Sequence, residues 1–114
     1  MATRSTPRSP LGEFELLVLL AVLRAGDDAY GSTILGELHE RSGRPVARGA
    51  LYVTLDRLEA KGLLASRTES GPPARSGRPR RYYTVRAAGL ESLRQSLDAL
   101  ARMRAGLKLD LKRS

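Results

Sequence analysis

The sequence predicts a mostly helical fold with one small β-hairpin, and three observations lead there. Three apolar-periodic segments fill residues 11–62, each followed by a glycine. Two segments of β type come next, on either side of a loop rich in Gly, Pro and Arg. A leucine repeat then begins at Leu90. The chain has 114 residues, 41% hydrophobic and 28% charged, which suits one globular domain with a modest core. A wholly disordered chain is excluded on composition.

The first helix begins at Leu11. Leu11, Phe14, Leu17 and Ala21 make one stripe, and Leu16, Leu20 and Leu23 a second. A helix apolar over most of its circumference is expected to be buried on most sides. Gly26 stops it, with Asp27 and Asp28 as candidates for the turn and the next N-cap. The second helix runs from about Tyr30 to Ser42, with Ile34, Leu35 and Leu38 inward and Glu37, Glu40 and Arg41 outward. Gly43 and Pro45 end it.

The third helix runs from about Arg48 to Lys61 and ends at Gly62. Leu51, Leu55 and Leu58 form a narrow apolar seam. The opposite side carries Gly49, Val53, Asp56, Arg57 and Ala60, with Ala50 and Tyr52 on the flanks. This outward face is small and thinly charged near its N-terminal end, so it can come close to another surface.

Leu63–Thr68 (LLASRT) reads as a short strand. Arg80–Val85 (RRYYTV) is a second, rich in aromatic and β-branched residues. Between them Glu69–Pro79 (ESGPPARSGRP) is too long for a tight turn, and Pro72, Pro73 and Pro79 stiffen it. The last helix spans Ala87 to about Leu107. Leu90, Leu93, Leu97, Leu100 and Leu107 follow the spacing of a coiled-coil seam, with Arg104 at one seam position and Met103 replacing it as the pattern drifts. The sequence has no internal repeat.

Three helices, a hairpin and a final helix make a winged helix-turn-helix with a C-terminal dimerisation helix. In that arrangement the third helix enters the DNA major groove and the hairpin loop, or wing, tracks the backbone or the minor groove. The organisation read from the sequence is a disordered basic arm (1–9), a winged-helix DNA-binding domain (10–86), a dimerisation helix (87–107) and a basic tail (108–114).

Charge supports a polyanionic partner. Lys and Arg total 20 against 12 Asp and Glu, a net charge of +8, and 17 of the 20 are Arg. Arg offers a planar fork suited to phosphates and guanine edges. The charge is uneven: residues 13–42 carry −4 and residues 67–86 carry +5. A local excess of this kind is the footprint of a nucleic-acid face. GC-rich codon usage also enriches Arg, but does not explain where the charge sits.

Other functions find little support. The absence of Cys excludes disulfides, thiolate metal sites and Cys nucleophiles, and fits a reducing cytoplasm. The longest apolar run, Leu16–Leu23, is far short of the roughly 20 residues of a membrane span. No signal peptide is visible. His39 is the only His and reads as a surface residue. No metal site, cofactor motif, P-loop or Ser–His–Asp pattern occurs, so no catalysis is expected.

The candidate DNA contacts follow from position. Arg48, at the N-terminus of the third helix, lies where base edges are met. Gly49, Ala50 and Val53 line its outward face. The Tyr52 hydroxyl reaches for phosphate, or its ring flanks the core. Tyr30 begins a helix, a natural phosphate site, or packs inward. Arg57 contacts phosphate, or pairs with Asp56 or Glu59. Arg75, Arg78, Arg80 and Arg81 make the wing basic.

These residues carry a resemblance to the PadR family of bacterial transcriptional regulators. Gly49 to Leu64 is similar, position for position, to the family's G-x-L-Y-x-x-L-x-R-L-E-x-x-G-L pattern. Ala29–Tyr30–Gly31 with Ile34 resembles the start of its second helix, and Arg80–Arg81–Tyr82–Tyr83 its basic-Tyr-Tyr strand. The likeness extends over about Leu11–Leu107 and is closest to the subgroup with a single C-terminal helix. Two positions depart. Ala50 stands where Ser or Thr is frequent, removing one hydroxyl. Arg86 stands where a Thr often caps the last helix, and a missing cap costs about 1 kcal/mol.

The resemblance implies a homodimeric, DNA-binding regulator, read here as a repressor on a near-palindromic operator with half-sites roughly 34 Å apart. It also implies release by a small-molecule effector, often aromatic or lipophilic, near the dimer interface. With no Trp and a single Phe, Phe14, the usual aromatic platform for such a ligand is absent or different. The competing readings are a non-specific architectural DNA-binding protein and a winged-helix module for RNA or protein.

Overall fold

The computed structural model describes residues 10–72 and 78–109. In chain order these form α1 (Glu13–Ala25), a 3-10 turn (Gly26–Asp28), α2 (Gly31–Ser42), α3 (Arg48–Ala60), β1 (Leu64–Glu69), β2 (Arg80–Val85) and α4 (Ala87–Arg104). The fold is thus mostly helical with a small hairpin, as the periodicities predict. The arm at residues 1–9, Pro73 and Arg75 of the loop, and tail residues 110–114 lie outside the described residues.

The core lies where α1, α2 and α3 meet the hairpin. Val18, Leu19 and Val22 of α1 pack with Ile34, Leu35 and Leu38 of α2 and with Leu51, Leu55 and Leu58 of α3. The α3 seam is fully buried. Burial of α1 is narrower than expected. Val18, Leu19, Ala21 and Val22 are buried, Leu16, Leu17 and Leu20 only half-buried, and Leu23 exposed. Among the described residues nothing covers the second stripe completely.

Polar contacts set the helix ends. The Gly12 N–H donates to Glu15 Oε1 at 2.9 Å, and Lys61 Nζ donates to Glu15 Oε2 at 2.8 Å. One carboxylate therefore ties the start of α1 to the end of α3. Burial alone would raise the Glu15 pKa, but the Lys61 ammonium and the Gly12 N–H outweigh it and hold it below the usual value. At α2 the N-cap is Tyr30 rather than Asp27 or Asp28. The Tyr30 N–H donates to Thr33 Oγ1 at 3.0 Å, and the Thr33 hydroxyl donates to the Asp28 carbonyl. Asp28 thus contributes its backbone instead of its carboxylate.

After α3, Gly62 takes a φ of +79°, a left-handed conformation open mainly to glycine, and turns the chain into the hairpin. The strands pair antiparallel from Leu64 opposite Val85 to Glu69 opposite Arg80. The segment before α2 adds to the sheet. The Tyr83 N–H donates to the Ala29 carbonyl at 2.8 Å, and Tyr30 bridges Tyr82. The wing is therefore hydrogen-bonded to the start of α2 as well as to itself.

α4 begins against the hairpin. A Cβ at Gly89 would overlap the Leu63 carbonyl, so this approach requires glycine. Two expectations for this helix are corrected. Leu93 is 5% exposed and belongs to its own protomer's core, because the first turns of α4 lie on the winged domain. Leu107 lies beyond the helix, which ends at Arg104 where Ala105 and Gly106 turn the chain. Leu90, Leu97 and Leu100 remain exposed.

The Glu15–Lys61 link predicts a pH dependence. A carboxylate with a depressed folded pKa adds stability that is complete above its unfolded value and fades as pH falls through the folded one. Glu15→Gln should therefore cost about 1 kcal/mol at neutral pH, between the values for surface and buried pairs. The gap from wild type should close in acid below about pH 4.5. Urea unfolding of both proteins across pH 3–7 checks this.

Candidate nucleic-acid interface

Three pieces of backbone converge on one region: the outward face of α3, the first turn of α2, and the base of the wing. The fold positions the first by burying the leucine seam on the other side. Arg48, Gly49, Ala50, Tyr52, Val53 and Arg57 are all exposed. Val53 is 56% exposed, a large apolar surface to leave in water at the middle of a packed helix.

Tyr52 is both partly exposed and packed against a neighbouring helix. It is 40% exposed, yet a Cβ at Gly31 would overlap its hydroxyl and ring carbon Cζ. The ring therefore lies over the first residue of α2, where the helix has unpaired N–H groups and the positive end of its dipole. Gly31 makes that approach possible.

Tyr30 packs and is also next to the basic wing. Its ring lies 4.0 Å beneath the Arg80 guanidinium and meets the Tyr82 ring edge-on at 5.6 Å. The Arg67 guanidinium is 4.9 Å from the Tyr82 ring and 2.6 Å from Glu69. Arg80, Tyr30, Tyr82 and Arg67 form a ladder in which aromatic faces hold cations beside the start of α2. Each cation–π contact contributes about 0.5–1 kcal/mol at such exposed sites.

Arg81 behaves differently from its neighbour. Its Nη2 donates to Glu59 Oε1 at 2.7 Å and its Nε donates to Ser66 Oγ at 3.0 Å. Two of its three nitrogens are thus engaged within the protein, while the side chain stays 49% exposed. Arg48 and Arg57 make no ion pair among the described residues, so the alternative pairing of Arg57 with Asp56 or Glu59 is not adopted. Arg78 is exposed beside the wing base. Arg75 lies outside the described residues.

Sequence reasoning missed Gly31, Glu59, Ser66, Arg67 and Tyr82 as parts of this region. Period-two alternation in the strands carried the signal for some of them. The register sets Arg67 opposite Tyr82, but that register could not be known from the sequence because the loop is long. His39 is exposed, with Nε2 2.9 Å from the Val46 carbonyl, as a surface histidine. Among the described residues no group of His, Cys, Asp or Glu could hold a metal ion, and no helix is long and apolar enough to cross a membrane.

A helix-turn-helix whose second helix is open on one face, with a two-stranded hairpin bonded beside it, defines a winged-helix fold. The chain belongs to the transcriptional regulator PadR-like family, whose model matches residues 19–95. It is 41% identical over 81 residues to the transcriptional regulator Rv3488 of Mycobacterium tuberculosis, covering 68% of this chain and 71% of that protein. Solved structures are similar too. A PadR-like transcription factor from Bacteroides fragilis superposes with a TM-score of 0.64 at 27% identity, over 78% of this chain and 82% of that one. A PadR family regulator from Clostridium difficile gives 0.64 at 26% identity, over 82% and 95%.

The fit of Tyr52 over Gly31 predicts a coupled pair. Gly31→Ala should destabilise the protein by about 1–3 kcal/mol through overpacking. Adding Tyr52→Ala should recover part of that loss, since the clashing ring is gone. Urea denaturation of the two single variants and the double variant measures the coupling.

Proposed function

We propose that the protein is a sequence-specific DNA-binding repressor that acts as a homodimer on a near-palindromic operator. The observation that carries this reading is the exposed N-terminal half of α3. It presents Arg48, Gly49, Ala50, Tyr52 and Val53 on one open face. Small residues permit close approach to the groove, Arg48 supplies a bidentate donor for guanine, and Tyr52 lies beside an electropositive helix end. Arg57, Arg78 and Arg80 add charge toward phosphate, with Arg75 proposed from sequence alone.

Dimerisation is supported by the exposed leucines of α4. Leu90, Leu97 and Leu100 are 48%, 42% and 53% exposed, and Met103 lies one turn further on. A contiguous apolar strip of this kind marks an interaction surface. Two-fold pairing would set two α3 helices in successive major grooves, roughly 34 Å apart, and a promoter so covered is closed to polymerase. Response to a small-molecule effector belongs to the same reading. Two apolar depressions flank α1, of about 180 and 260 Å³. Both fall below the roughly 300–1,000 Å³ of ordinary ligand pockets.

Selection of duplexes from a random pool, followed by titration with the selected and scrambled duplexes at matched salt, tests the reading. A recovered motif with two related half-sites supports it. Equal binding of both duplexes would favour a non-specific architectural protein instead. Arg48→Ala should cost about 1–3 kcal/mol on the selected duplex and relax preference at one position. Leu97→Asp with Leu100→Asp should yield a monomer in sedimentation, with helix content nearly unchanged and affinity for the selected duplex sharply reduced.

A further inference from the structure

Glu59 is an acidic residue in the last turn of the proposed reading helix, where a carboxylate would repel nearby phosphate. Its surroundings account for its presence. Glu59 Oε1 accepts from Arg81 Nη2 at 2.7 Å, and Glu59 Oε2 accepts from Ser66 Oγ at 2.8 Å. Ser66 Oγ in turn accepts from Arg81 Nε at 3.0 Å. Three hydrogen bonds thus close a ring over three elements: α3, β1 and β2. Ser66 pairs opposite Tyr83, and Arg81 is the diagonal neighbour across the strands, so Ser66 and Arg81 share one face of the hairpin. The Arg81 guanidinium also lies 5.6 Å from the ring of Tyr83, which is buried.

A lone surface ion pair holds little, because two long side chains must be ordered in water. This arrangement differs in that each member is fixed by the other two, and the β-strand and helix backbones are already ordered by the core. The ring spans from the end of α3 to the base of the wing, so it sets the angle between the two parts that would touch DNA together.

We propose that Glu59 and Arg81 are positioning residues that lock the wing to the recognition helix, and that Arg81 is not itself a phosphate contact. The proposal rests on the DNA-reading function given above and deepens it by separating the wing arginines into two roles. Arg80 and Arg78 supply charge, and Arg81 supplies geometry. Discrimination between duplexes depends on the strut, since only a wing held at one angle lets helix and wing contacts form in a single register.

The experiment uses the duplex that the full-length wild-type protein selects from a random pool, and a scrambled duplex of equal composition. Affinities are read by fluorescence anisotropy at one salt concentration for wild type, Glu59→Gln, Arg81→Gln, the double variant and the milder Ser66→Ala. The ratio of the two affinities should fall about three- to ten-fold in Glu59→Gln and in Arg81→Gln, and the double variant should fall no further than either single one. Ser66→Ala should move the ratio the same way by less, and keeps the test open if a charge variant fails to fold. A charge effect alone gives another pattern. Glu59→Gln would tighten both duplexes, Arg81→Gln would weaken both, and the ratio would stay constant. That result overturns the proposal while leaving the DNA-reading function intact. A wild-type protein that enriches no motif overturns both.

Discussion

The structure depends on the one-sided burial of α3. Leu51, Leu55 and Leu58 have no exposure, and they are the floor on which α1 and α2 pack. Three leucines buried against the neighbouring helices contribute several kcal/mol, at roughly 1.5–3 kcal/mol each. No rotation of α3 keeps that contribution while hiding Val53 or Tyr52. The burial therefore commits the other face to solvent, and that face holds small residues and, at its N-terminal end, Arg48, which has no ion pair among the described residues. The open face of α3 is a consequence of the core.

The hairpin extends the same constraint to the wing through the alternation of its strands. Tyr82 and Arg80 point to the side where Tyr30 begins α2, and Tyr83 and Arg81 point to the side where Glu59 ends α3. One face of β2 is tied to the second helix by aromatic and cation contacts, and the other to the third by a hydrogen-bonded ring. Tyr83 and Leu64 in the core hold the sheet between them. Adjacent arginines in one strand thus meet opposite environments, and their charges cannot be counted as one patch.

Much of this was legible in the sequence because it is local. Glycines at 26, 43 and 62 punctuate the helices where periodicity ends, and the α3 seam is unambiguous at its spacing. The second strand, Arg80–Val85, emerges with the bounds its composition implies. The outward face of α3 follows from the wheel alone. What escaped depends on distance in space. The leucine repeat of α4 has a single period, yet Leu93 meets the winged domain while Leu97 and Leu100 pass beyond it. Only the docking of α4 at Gly89 distinguishes them. Arg80 and Arg81 are indistinguishable as sequence, and their separation needs the strand register across a long loop. The second stripe of α1 reads as core, but Leu16 and Leu20 are only half-buried and Leu23 is exposed among the described residues.

The central claim is that the open face of α3 and the wing base form the surface that meets DNA. Amide chemical-shift perturbation on isotopically labelled protein, titrated with duplex DNA at low salt, tests it most directly. The account predicts that the largest shifts fall on residues 48–53, on Tyr30 and Gly31 at the start of α2, and on Arg78 and Arg80 at the wing base. Residues of α1 and the exposed strip of α4 should stay nearly still. Shifts concentrated on α1 or α4, with α3 unmoved, would contradict the account.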